Sequence, residues 1–73
     1  MSYIMKPISG KEMCKVLERN GWFLKRIKGS HHIYGKTGID VIITVPVHGN
    51  CDLRTGTQKK IMRDAGLTDN DLT

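Results

Sequence analysis

The sequence predicts an α+β domain with elements in the order α-β-β-β-α, a three-stranded antiparallel sheet with two helices on one face. Three patterns carry this reading. A helix-capping signature stands at Ser9, three strand-like runs separated by glycine turns lie between Trp22 and Pro46, and a second helical pattern is closed by Gly66. At 73 residues the chain holds one domain, read as residues 1–73 with a core from about residue 8 to residue 67, a flexible N-terminus and a flexible C-terminal tail. A domain this short buries only roughly 60% of the surface its unfolded chain exposes, so the core is thin and the second sheet face stays open to solvent.

Each element has its own signal. Ser9 followed three residues later by Glu12 forms a capping box, and Ile8 and Met13 stand where a hydrophobic staple packs. Met13, Val16 and Leu17 recur at helical spacing, and Asn20-Gly21 supplies the left-handed stop, so the first helix runs from Ser9 to about Asn20. Lys11, Lys15 and Arg19 form a basic stripe along it, either a solvated face or one that binds a polyanion backbone. From Trp22 to Lys28 the pattern alternates and is rich in aromatic and branched residues, Gly29-Ser30 marks a turn, and His31-His32-Ile33-Tyr34 forms the second strand. Gly35-Lys36-Thr37-Gly38 reads as the next turn, and Val41 to Val45 as the third strand, ended by Pro46. After a polar connection, Thr55 or Thr57 caps a second helix with Ile61, Met62 and Ala65 on one face, and the tail after Leu67 forms one further turn or frays.

Composition narrows the function classes. Twelve Lys and Arg against seven Asp and Glu give a net charge of +5, a field that attracts polyanions, nucleic acid first among them. Basic charge also serves solubility alone, so charge by itself does not choose. No apolar run approaches the ~20 residues that span a bilayer, and the first residues lack a secretory pattern, which places the chain in the cytoplasm with no membrane partner. In that reducing compartment Cys14 and Cys51 read as free thiols, Cys14 as a small core residue.

The densest group of reactive side chains is Arg26-Ile27-Lys28-Gly29-Ser30-His31-His32-Ile33-Tyr34. Adjacent strand residues point to opposite faces, so His31 travels with Ile33, and His32 with Tyr34 and Lys36. If Ile33 faces the helices, His32 stands on the open face beside a phenol and an ammonium group and is the better catalytic candidate. A neutral imidazole, with a pKa near ~6.5, can take the proton of an RNA 2′-hydroxyl as it attacks the adjacent phosphorus, and this needs no metal. Arg26, Lys28 and Lys36 are the cations that sequence places near the developing charge, and His31, Tyr34, His48 or water are possible donors to the leaving 5′-oxygen. The bland alternative is one core and one solvated histidine. Zinc bound by His31, His32, His48 and Cys51 fits poorly, because two adjacent strand residues diverge. Neither a metal nor a small-molecule cofactor is expected. Thr55-Gly56-Thr57, with Arg54, Lys59, Lys60 and Arg63 nearby, suits both helix capping and contact with a phosphate.

Several separate motifs then agree at once: Asn20-Gly21-Trp22, Arg26 to Tyr34, Thr44-Val45-Pro46-Val47-His48-Gly49-Asn50, Leu53-Arg54-Thr55-Gly56-Thr57 and Ala65-Gly66-Leu67. In this order and spacing the chain resembles the HicA (YcfA-like) family of toxins in bacterial and archaeal toxin–antitoxin systems, from about Ile8 to Leu67. The resemblance implies a double-stranded-RNA-binding-domain-like (dsRBD-like) fold, activity as a ribosome-independent mRNA interferase, and a HicB-type antitoxin that covers the active site. It also implies that the catalytic histidine lies within Gly29-Ser30-His31-His32, with the second histidine position falling on His32 and His31 also fitting the motif. Lys28, Gly29, Ser30, Arg26, Tyr34, Lys36, Lys59 and Lys60 are the expected RNA-binding residues. The departures are the N-terminal extension, the acidic tail, and Cys51, which stands where a charged residue often follows Gly-Asn. Two other functions compete with cleavage: a non-catalytic RNA-binding module of the same shape, and a subunit that acts only within a DNA-bound repressor complex.

Overall fold

The computed structural model describes residues 6–72; most of the extension expected before Ile8, and Thr73, lie outside the described residues. The elements are α1 (Gly10–Arg19), β1 (Phe23–Lys28), β2 (His31–Lys36), β3 (Ile39–Pro46), α2 (Thr55–Ala65) and a terminal 3-10 turn, Asp69–Leu72. The fold is the α-β-β-β-α arrangement read from the sequence. The strands form one antiparallel sheet in the order β1-β2-β3, joined by two-residue turns at Gly29-Ser30 and Thr37-Gly38.

The first helix starts where its cap signals. Ser9 is extended, and its hydroxyl accepts the Glu12 N–H at 3.1 Å, meeting one of the helix's unpaired donors. At the other end Asn20 bonds back to the Val16 carbonyl, and Gly21, at φ +91°, turns the chain. Trp22 leaves the strand pattern to bury its ring in the core, and β1 begins one residue later. Two features lengthen the sheet beyond expectation. β2 continues through Gly35 and Lys36, and β3 starts at Ile39, because the hairpin closes on the Lys36–Ile39 pair.

Ile8, Met13, Val16 and Leu17 from the first helix region meet Trp22, Tyr34, Ile43, Val45, Ile61 and Met62 in a single core. Full burial of an aliphatic side chain of this kind contributes about 1.5–3 kcal/mol. Gly10 shows how closely the layers approach: a Cβ there would run into the Pro46 carbonyl, so the first turn of α1 rests directly on the end of β3.

Gln58 is a polar residue inside this core. Its amide nitrogen donates to the Lys6 carbonyl at 2.6 Å and its oxygen accepts the Ile8 N–H at 3.2 Å, while Leu53 N–H donates to the Ile8 carbonyl. The N-terminal segment is thereby laced to α2, and the buried amide is satisfied. The helix itself begins differently from the expectation of a threonine cap: Arg54 occupies the N-cap and makes no side-chain capping bond. Gly66, left-handed at φ +68°, ends α2, and Leu67 N–H bonds to the Met62 carbonyl as the chain reverses. The tail is packed rather than peripheral. The Asp71 carboxylate accepts from Thr68 N–H at 2.7 Å, shaping the 3-10 turn that inserts Leu72 into the core beside α1.

Candidate functional site

Cross-strand partners in an antiparallel sheet point to the same face, so the register sorts every β2 side chain. Tyr34 lies opposite Ile43 and Leu24, and His32 opposite Val45 and Ile27; with Tyr34, Ile43 and Val45 buried, this is the helix-covered face. Ile33 lies opposite Thr44 and Arg26, and His31 opposite Pro46 and Lys28, on the open face. The face assignment expected from the sequence is therefore reversed. His31 is exposed on the open side, and His32 is half-buried at the margin of the core.

The reversal has a physical cause. A tyrosine ring buries more apolar area than isoleucine, provided that its hydroxyl finds a partner. Here the Tyr34 hydroxyl donates to the Glu18 carboxylate at 2.6 Å, beside Cys14 on the same helix. Burial, reinforced by hydrogen bonds with Cys14 and Glu18, raises the Tyr34 pKa, and burial likewise pushes the Cys14 thiol up. Both groups hold their protons at neutral pH. Tyr34, expected among the RNA-contacting residues, is a core residue instead.

A bulge enriches the open face. Between Leu24 and Arg26 the β1 register shifts by one residue, so that Lys25 is extra. The Lys25 stem runs across Gly35, where a Cβ would come within 2.7 Å of it, and Lys25 shares a groove of about 420 Å³ with Arg26, Ile33 and Ile42. Consecutive residues that a regular strand would send to opposite faces thus stand on one. Lys28 pairs directly with His31 and Arg26 with Ile33, while Lys25 lies further along the same face, over Gly35. Sequence reading missed Lys25, and its only signal is the glycine across the ladder. Gly29, at φ +61°, holds the first position of the two-residue turn that ends beside His31, and Ser30 anchors the turn through its carbonyl, which accepts Val47 N–H at 2.7 Å.

The remaining expected residues lie elsewhere. Lys36 sits five residues along β2 from His31, ~16 Å at the rise of a strand. Its ammonium donates to the Asn20 carbonyl at 2.9 Å and lies 5.7 Å from the centre of the Trp22 ring, at the opposite end of the sheet. It is no neighbour of the histidines. Lys59 and Lys60 are exposed on α2, in the layer behind the sheet, and Lys60 pairs with Asp64 at 2.7 Å. That hydrogen bond, with the nearby Arg63, holds the Asp64 carboxyl below the usual carboxylate range. Cys14 is buried and Cys51 exposed, both free. Among the described residues no three His, Cys, Asp or Glu side chains gather as a metal ion requires, and His31 and His32 diverge as the alternation demands. No helix among the described residues is long and apolar enough to cross a membrane.

Chemically, the open face offers an exposed imidazole, cations on its β1 edge, and apolar Ile33 and Ile42 on the neighbouring strands. Charge of this sign favours polyanions, and exposed apolar side chains offer a surface on which planar rings can lie. The chain also matches a known family: residues 10–67 fit the model described as the HicA toxin of bacterial toxin–antitoxin systems. No curated protein matches it. The match spans all but the ends of the chain, and the protein belongs to the HicA toxin family, with the toxin role and the cognate antitoxin which that membership carries.

Proposed function

We propose that this HicA-family toxin is an endoribonuclease that cleaves mRNA without a metal or cofactor, and that a HicB-type antitoxin silences it by covering the open sheet face. The observation that carries the proposal is the shared face of exposed His31 and the cations Lys25, Arg26 and Lys28. His31 takes the 2′-hydroxyl proton as the oxygen attacks phosphorus, and the cations stabilise the added charge on the phosphorane. A well-placed general base contributes roughly 10²–10⁴-fold, and cationic stabilisation a comparable factor. His32, on the other face, supports β2 against Val45 and Ile27 and orients its neighbour. In this reading the expected general base moves by one residue, from His32 to His31, because the register reverses the faces. The proposal places the reaction in the cytoplasm, where mRNA is met.

Purified toxin, freed of antitoxin, is incubated with single-stranded RNA in EDTA. Cleavage by the wild type that falls roughly 10²-fold or more in His31→Ala, and far less in His32→Ala, supports the reading. Intact RNA with the wild type, or equal cleavage by all three proteins, overturns it. If the RNA stays whole but binds with strong salt dependence, and His31→Ala binds equally well, the face serves a non-catalytic RNA-binding module.

A further inference from the structure

General-base attack leaves the 5′-oxygen as an alkoxide unless an acid protonates it as the P–O bond breaks. A second proton carrier on the His31 face is therefore the missing half of the chemistry. His32 points to the other face, and the Tyr34 hydroxyl is committed to Glu18 inside the core.

The β3–α2 connection supplies a candidate. β3 ends at Pro46, which pairs with His31, yet the ladder runs one step further because Val47 N–H donates to the Ser30 carbonyl. Val47 packs against the core as Val45 does. Extending the strand alternation through that bond, from Val47 on the core side, assigns His48 to the same face as Pro46 and His31, next to the Gly29-Ser30 turn. In a ladder extended by that step, His31 and His48 are diagonal neighbours, ~7–8 Å apart. His48 is exposed and lines a cleft of about 340 Å³ at the β3–α2 junction, together with Pro46, Cys51, Asp52, Leu53, Arg54 and Thr57.

We propose that His48 is the general acid of this site, resting on the reading above in which His31 is the base. The 2′-oxygen gives its proton to His31 and forms a bond to phosphorus. The bond from phosphorus to the 5′-oxygen breaks, and that oxygen takes a proton from the His48 imidazolium. The products are a 2′,3′-cyclic phosphate and a free 5′-hydroxyl, with the proton inventory balanced once His31 and His48 exchange protons with water.

The test uses the full chain, an RNA oligonucleotide cut at a linkage mapped with the wild type, and the same oligonucleotide with sulfur in place of the 5′-oxygen there. A thiol has a pKa near ~8.5, so the sulfur leaves without an acid. The expected result is a roughly 10²–10⁴-fold loss for His48→Ala on the oxygen substrate, recovery to near the wild-type rate on the sulfur substrate, and loss on both for His31→Ala. His48→Gln gives the same pattern and serves if the alanine protein folds poorly. Unchanged oxygen cleavage in both His48 variants, or an equal loss on both substrates, overturns the proposal. Intact RNA with wild type overturns the parent reading, and this proposal with it. Oxygen cleavage that depends on His31 and not on His48 overturns this proposal alone.

Discussion

The two faces of the sheet are built from alternate residues of the same strands, yet they carry different tasks. On the covered face Tyr34, Ile43 and Val45 exclude water and meet both helices; on the open face His31, Ile33, Arg26 and Lys28 meet solvent. One backbone register sets both at once, because a slip of one residue exchanges every side chain between them. In the proposed reading, stability and chemistry are thus separable by residue although they are inseparable by strand. A neighbouring pair such as His31 and His32 can be split between the two roles.

That separation can be broken or sharpened by experiment. The largest contrast is expected from the two histidines: His31→Ala should lose cleavage by roughly 10²-fold or more with an unchanged thermal midpoint, whereas His32→Ala should shift the midpoint and keep most of the activity. Paired melting and RNA-cleavage measurements decide it, and a lowered midpoint for His31→Ala would merge the faces again. Next, Tyr34→Ala should cost about 3–5 kcal/mol in urea unfolding, since it empties a large core site and leaves Glu18 without its donor. A change below about 1 kcal/mol would mean that Tyr34 is not a core anchor. Gln58→Ala should cost about 1–3 kcal/mol by stranding the Ile8 N–H and the Lys6 carbonyl, read by the same titration, with cleavage per folded molecule unaltered.

The smallest effect concerns alkaline pH. Cys14 and Tyr34 have raised pKa values in the fold, so the native state holds their protons more tightly than the unfolded chain does. Stability is then fully present below the ordinary thiol and phenol values and declines as pH rises beyond them. Urea midpoints should stay level near neutrality and fall above about pH 9. Tyr34→Phe should flatten that decline, and a slope identical to that of wild type would assign it to other groups.

Much of the scaffold was legible because its signals are local. The Ser9–Glu12 cap, the Asn20-Gly21 stop, the β-branched run before Pro46 and the Gly66 terminus each act within a few residues, and each appears in the fold. What sequence reading got backwards or missed depends on distant partners. Ile33 and Tyr34 alternate equally well as inward residues, and the choice falls to Glu18, sixteen positions away, which receives the phenol. The Lys25 bulge leaves no trace in hydrophobic alternation. Gln58 looks like a solvated helix residue until the segment at residues 6–8 closes over it, 50 and 52 positions away in sequence. The expected placement of Lys36 beside the histidines failed for a simpler reason: two residues on one face of a strand are neighbours only when two apart.

The exposed edge strand has a consequence for how the protein behaves in a crowded cell. Every residue of β1 is exposed, including Phe23, Leu24 and Ile27, so the strand presents both unpaired backbone groups and apolar side chains. An uncharged edge of that kind would recruit the same strand of another copy and grow into aggregates. Lys25, Arg26 and Lys28 set like charges against each other in any such pairing, and the edge repels its own kind. The charges proposed to draw in RNA therefore also act as gatekeepers against self-association, so neutralising them would remove that protection as well.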